Sequence, residues 1–138
     1  MLGAALLTGL VVEAHAMDVE VIARGLRNEA GSALFAVFLD PAGFPGDGER
    51  AAYRQEAPIT GSEARVRFTD LPDGRPLAIA VLHDEDGDKR MAMGLFGIPK
   101  EGFGVSNNPR IRFGPPSFRD ALLTPTAGQP IVIDMRYF

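Results

Sequence analysis

The stretch Glu63–Asp88, EARVRFTDLPDGRPLAIAVLHDEDGD, holds two strand patterns and the turns that bound them. From Glu63 to Thr69 apolar and polar residues alternate, which sends Ala64, Val66 and Phe68 to one face and Glu63, Arg65 and Arg67 to the other. Such alternation describes a strand with one wet face. Asp70-Leu-Pro72-Asp73-Gly74 reads as a turn, because Pro presets φ and Gly accepts the left-handed region. Pro76 to Leu82 is then apolar at both parities, as a strand covered on both faces requires, and it runs into the acidic turn His83-Asp84-Glu85-Asp86-Gly87-Asp88.

The same period recurs on either side. Asp18, Glu20 and Arg24 alternate with Val19, Val21 and Ala23, and Arg27-Asn28-Glu29-Ala30-Gly31 turns the chain into Ser32–Leu39, again apolar on both faces and so expected at the centre of a sheet. Asp40–Gly48 is dense in turn formers, a weaker strand spans Gln55 to Thr60, and Pro130 to Tyr137 supplies the last one. No segment of about ten residues keeps a 3.6 period, and only Ser117–Ala121, with Ser117 as N-cap after Pro115-Pro116, suggests a single helical turn. Short strands between Pro and Gly turns predict an all-β fold, an antiparallel β-sandwich of about seven strands with one long loop at 83–118.

With 138 residues, 46% of them hydrophobic, the chain suits one domain with a real core. A formal charge of −4, with 14 basic residues scattered among 18 acidic ones, leaves no basic field for nucleic acid or anionic membranes. The absence of cysteine excludes disulfides, thiolate metal sites and lipoprotein anchoring. Leu2–Val12 is an uncharged apolar run followed by Ala14-His15-Ala16, a small-x-small pattern, so residues 1–16 read as a signal peptide and 17–138 as the mature domain. That run is too short to cross a membrane, which takes about 20 residues. The expected location is therefore exported, periplasmic or extracellular.

Asp84, Asp86 and Asp88 stand at alternate positions and offer hard oxygens of the kind Ca2+ takes, with the Arg90 carbonyl nearby. An EF-hand loop is excluded, because Lys89 and Leu95 occupy its obligatory Gly and Glu places. The competing and favoured reading is a solvated turn whose carboxylates bond their own backbone. His83, the one histidine of the expected mature chain, reads as an anchor for the long loop rather than as a catalytic base. Lys100, Glu101, Phe103, Ser106 and Asn107 are the further candidates for ligand contact on the loop. Its aromatic and sulfur residues, Phe96, Phe103, Phe113, Phe118, Met91 and Met93, could line a groove, though a loop of this length more often folds them onto the sandwich edge.

Four motifs together resemble a secreted bacterial family. They are Val81-Leu82-His83-Asp84, Glu85-Asp86-Gly87-Asp88, Gly97-Ile98-Pro99-Lys100-Glu101-Gly102-Phe103-Gly104-Val105-Ser106-Asn107-Asn108, and Phe113-Gly114-Pro115-Pro116-Ser117-Phe118. The family is domain of unknown function 2141, and the likeness extends from about Val19 to Tyr137. The resemblance implies an exported immunoglobulin-like or transthyretin-like β-sandwich and supplies no substrate. Two functions follow from these residues. One is a non-catalytic binding or structural module of the cell envelope, with a small ligand or envelope protein as partner and Ca2+ ordering the acidic turn. The alternative is a small extracytoplasmic hydrolase using His83 with Asp84, Ser106 or Glu101. The two differ in whether those side chains converge.

Overall fold

The computed structural model describes residues 16–89, 100–111 and 114–138. Seven strands, β1 (Ala16–Arg24), β2 (Ser32–Phe38), β3 (Tyr53–Ala57), β4 (Glu63–Pro72), β5 (Ala78–Asp84), β6 (Phe103–Val105) and β7 (Ile131–Asp134), form two sheets. One has the order β4-β1-β7 and the other β3-β2-β5-β6. This is an all-β sandwich. The pairs are antiparallel except β1 with β7, which run parallel from Val21↔Ile131 to Arg24↔Asp134. That pair departs from a wholly antiparallel arrangement, and it arises because the last strand returns along the free edge of β1 rather than beside its own sequence neighbour.

The core lies between the sheets. Val19, Val21 and Ala23 of β1, Ala64, Val66 and Phe68 of β4, and Ile131 and Ile133 of β7 meet Ala33, Phe35 and Val37 of β2 and Ile79 and Val81 of β5. The outer face of β4-β1-β7 is wet, and Arg65 pairs there with Glu20 and Glu63 and Arg67 with Asp18, all exposed. Exposed pairs of this kind add little stability. The other sheet is different. Phe38, Ala78, Ala80 and Val105 form a second cluster on its outer face, covered by Phe44, Ala51, Phe118 and Ala121. Phe44 stands edge-on to both Phe38 and Phe118, with ring centroids 5.3 and 5.7 Å apart. Two covered faces explain why β2 and β5 are apolar at both parities.

Helix α1 (Phe118–Ala121) is the expected single turn, with Ser117 Oγ accepting the Asp120 N–H. Strand β3 ends at Ala57 and not at Thr60, because Pro58 has no N–H to extend the ladder and Thr60-Gly61-Ser62-Glu63 closes a turn with Gly61 at φ +64°. Strand β5 reaches two residues past Leu82, since Ala33 and Ser32 of β2 pair with His83 and Asp84. Strand β6 lies inside the predicted loop. It opposes β5 from Leu82↔Phe103 to Ala80↔Val105 and links the sheets through a Phe103–Arg136 bridge.

The glycines around Phe103 are packing glycines. A Cβ on Gly102 would lie 2.3 Å from the Tyr137 ring, and one on Gly104 would lie 2.7 Å from the Asp134 carbonyl oxygen. Neither site has room for a methyl group. Gly48, in the 3-10 turn Gly48–Arg50, has nothing within 4 Å of an added Cβ. Gly102→Ala is expected to lower stability by about 1–3 kcal/mol through overpacking, whereas Gly48→Ala leaves it within about 0.5 kcal/mol. Urea unfolding of the two variants checks this, and equal midpoints would contradict the packing argument.

Candidate functional site

Strand β5 sends alternate side chains to opposite faces, so its last two residues part company. His83 follows Ile79 and Val81 to the inner face, and Asp84 follows Ala78, Ala80 and Leu82 to the outer one. Both are fully buried. The His83 ring is bonded at each nitrogen: Nε2 lies 2.8 Å from the Ala30 carbonyl and Nδ1 lies 2.7 Å from the Tyr137 hydroxyl. A carbonyl only accepts, so Nε2 carries the hydrogen and Nδ1 accepts from Tyr137. Burial pushes the Tyr137 phenol above its usual range, consistent with a hydroxyl that keeps its proton. His83 thus ties the β1–β2 turn and the C-terminal segment together, while its N–H reaches the Gly102 carbonyl of the loop at 2.8 Å.

Arg27 closes this end. Its guanidinium lies 4.6 Å from the Tyr137 ring centroid, donates to Glu85 Oε1 at 2.5 Å and to the Lys100 carbonyl at 3.3 Å. Asn28 adds a 2.9 Å bond to Glu85 Oε2. The Arg27 bond, with help from Asn28, holds the Glu85 carboxyl below the usual carboxylate range. Glu85 therefore faces away from the other acids of the turn.

Those other acids converge. One carboxylate oxygen each from Asp84, Asp86, Asp88 and Glu101 lie within 4.8 Å of one another. Asp84 Oδ2 accepts the Lys89 N–H at 3.1 Å, but Oδ1 is buried with no hydrogen-bond partner. Its burial, together with the nearby carboxylates of Asp86, Glu101 and Asp88, pushes the Asp84 carboxyl up, and the Lys89 N–H opposes this only in part. Asp86 Oδ1 accepts the Asp88 N–H at 3.1 Å, the bond that chiefly lowers its own carboxyl. Gly87 at φ +76° lets the chain turn this tightly. Gly31 at φ +65° is needed as well, since a Cβ there would fall 1.8 Å from the Asp84 carbonyl oxygen.

The solvated reading of the turn holds for Asp86 and Asp88, which are exposed, and fails for Asp84, which the doubly covered strand carries inside. Glu101 is 4% exposed and its Oε2 accepts the N–H of Glu85 at 2.7 Å and of Asp86 at 3.4 Å. Sequence spacing alone did not join it to the aspartates. The signal was the register: Leu82 opposes Phe103, so the same antiparallel count places Asp84 opposite Glu101.

The remaining candidates serve the fold. Ser106 is buried, accepts the Ile79 N–H at 2.9 Å and donates to the Ala121 carbonyl at 2.5 Å. It lies beside Ile79, four residues along β5 from His83, or roughly 13 Å away. No His83–Ser106 dyad is formed. Asn107, at φ +67°, donates to the Asp120 and Leu122 carbonyls at 3.3 and 2.6 Å and so closes the end of α1. Asn108, not singled out by the sequence, bonds the Val132 carbonyl and the Asp134 N–H and extends the edge of β7. Phe103 is buried against Phe138, with centroids 5.8 Å apart, and Lys100 is exposed. Met91, Met93, Phe96 and Phe113, the Arg90 carbonyl and residues 1–15 lie outside the described residues.

A cavity of about 70 Å³ lies on the outer face among Leu34, Ala36, Leu82, Lys89 and Phe103. Pockets for small organic ligands run to roughly 300–1,000 Å³, and this cavity among the described residues is smaller. Among the described residues no helix is long and apolar enough to cross a membrane.

Comparison with known proteins agrees with the strand and turn motifs. The family described as "uncharacterized protein conserved in bacteria", domain of unknown function 2141, matches residues 21–131. No curated protein and no solved structure matches the chain. The matched span begins within β1, ends at the first residue of β7, and includes all four converging carboxylates. The chain is a member of this bacterial family, domain of unknown function 2141.

Proposed function

We propose that the protein is an exported, non-catalytic β-sandwich module of the bacterial cell envelope whose acidic turn, Asp84 to Asp88, binds Ca2+. The observation that carries the reading is a buried Asp84 carboxylate whose Oδ1 has no hydrogen-bond partner, on a residue with one carboxylate oxygen within 4.8 Å of oxygens of Asp86 and Asp88. Buried charges in proteins are paired or coordinate metals. The donors at this place are all carboxylate oxygens, which suit a hard cation, and without cysteine or a free imidazole nothing here suits Zn2+. Export is supported by the apolar run Leu2–Val12 and the Ala14-His15-Ala16 pattern. The hydrolase alternative loses support because His83 and Ser106 are each held by two structural hydrogen bonds at separate places along β5.

Three measurements test the proposal. Thermal unfolding in EDTA and then in millimolar Ca2+ should show stabilisation of about 2.7 kcal/mol at a hundred times the dissociation constant, or roughly 3–6 °C. The shift should vanish in Asp86→Ala; no shift in the parent protein sinks the cation reading. Asp84→Asn is expected to raise stability in EDTA by about 1–2 kcal/mol, because it removes a buried charge with an unmade bond, and to abolish the Ca2+ response. A loss of stability in EDTA would show instead that the charged form is already satisfied. Expression with the native N-terminus should yield a periplasmic protein whose first residue by mass spectrometry is Met17. Retention of residues 1–16 would refute export by that signal.

A further inference from the structure

We infer that Glu101 is a ligand of the same cation, so that the ion bridges the end of β5 to the stem of β6 and clamps the connection between them. The inference rests on the Ca2+ reading of the acidic turn and assigns that site a structural task. A site confined to Asp84, Asp86 and Asp88 would order five consecutive residues. A site that includes Glu101 joins segments 13 to 17 residues apart.

Three features of the structure point to the wider site. The first is register: continued from Leu82↔Phe103 and the His83 N–H to Gly102 carbonyl bond, it sets Asp84 directly opposite Glu101. Like charges directly opposite on neighbouring strands repel, and here both residues are buried. A cation between them reverses the sign of that interaction. The second is reach. Glu101 already bends into the turn, where its Oε2 takes the Glu85 and Asp86 N–H groups. A carboxylate bonded this way is oriented before any ion arrives, which reduces the cost of ordering it on binding.

The third is size. Oxygens on a Ca2+ ion lie at 2.3–2.6 Å from the metal, so ligands on opposite sides are separated by about 4.6–5.2 Å, whereas Mg2+ at 2.0–2.1 Å requires about 4.0–4.2 Å and strict octahedral order. The four donor oxygens fall within 4.8 Å of one another. That limit leaves room for oxygens on opposite sides of a Ca2+ ion. Two donors, from Asp84 and Glu101, come from buried residues and two, from Asp86 and Asp88, from exposed ones, so the site has a dry wall and a wet mouth through which the ion enters. Arg27 and Lys89 do not compete for it directly, as Arg27 holds Glu85 and the Lys89 ammonium holds both oxygens of Glu56 at 2.6–2.7 Å.

The test combines a variant with a readout on the unaltered protein. Glu101→Gln keeps an oxygen to accept the Glu85 and Asp86 N–H groups and removes the charge. In calorimetric titration with CaCl2 it should bind at least about tenfold more weakly than the parent, while its melting temperature in EDTA is unchanged or higher. Hydrogen exchange on the parent protein should slow on adding Ca2+ both at residues 85–89 and in β6, at Phe103–Val105; Mg2+ at equal concentration should give less protection. Full Ca2+ affinity in Glu101→Gln, or protection confined to the turn, overturns the clamp and leaves the turn site standing. Failure of the parent to bind Ca2+ overturns both. If Glu101→Gln does not fold, the exchange pattern of the parent decides alone.

Discussion

Strand β5 lies between β2 and β6 with the main core on one face and the Phe38–Phe44–Phe118 cluster on the other, so every side chain from Ala78 to Asp84 has to be accommodated largely away from water. For the apolar residues this is favourable, at about 25 cal/mol per Å² of apolar surface buried. For the two polar residues at the end of the strand it sets a problem that each face solves differently. His83, on the inner face, is satisfied by a carbonyl on one side and a hydroxyl on the other. Asp84, on the outer face, has one oxygen satisfied and one not.

An orphaned carboxylate oxygen in an otherwise well-bonded interior is uncommon, since leaving a buried polar group unpaired costs about 1–3 kcal/mol and more for a charge. The surrounding structure adds to that cost by bringing Glu101 across from β6 and folding Asp86 and Asp88 back over the strand end. Gly31 and Gly87 permit the close approach and the tight turn, and Gly102 and Gly104 let β6 lie against Tyr137 and β7. A proton held between Asp84 and Asp86, or a bound cation, would each relieve that repulsion.

The same rigidity keeps His83 and Ser106 apart. Catalytic side chains need access to a substrate and freedom to exchange protons with it. Ser106 instead joins β5 to α1, Asn107 closes α1, and His83 joins the β1–β2 turn to Tyr137. These are tasks of a scaffold. A short β6 is fixed by glycine contacts and by the Phe103–Arg136 bridge, which joins it to the C-terminal segment after β7.

Much of this was legible in the chain. The alternation of Glu63–Thr69, the doubly apolar runs Ser32–Leu39 and Pro76–Leu82 and the capped turn after Ser117 each report local burial through their period or their capping chemistry, and each is found within two residues of where those patterns place it except at the end of β4, which runs on to Pro72 through the first part of the expected turn Asp70–Gly74. Residues such as Asp84 and Asp88, close in sequence, could be read as a cluster because a turn keeps neighbours near. Glu101 and the parallel return of β7 could not, and neither could β6, whose three residues carry no period of their own. The sequence by itself determined six of the seven described strands, most of the turns and the acidic character of one end, because side-chain alternation and backbone preferences act over a few residues. Only the tertiary structure decided that Asp84 is buried and faces Glu101, because register between strands depends on which faces both sheets cover, and that is a property of the whole packed core.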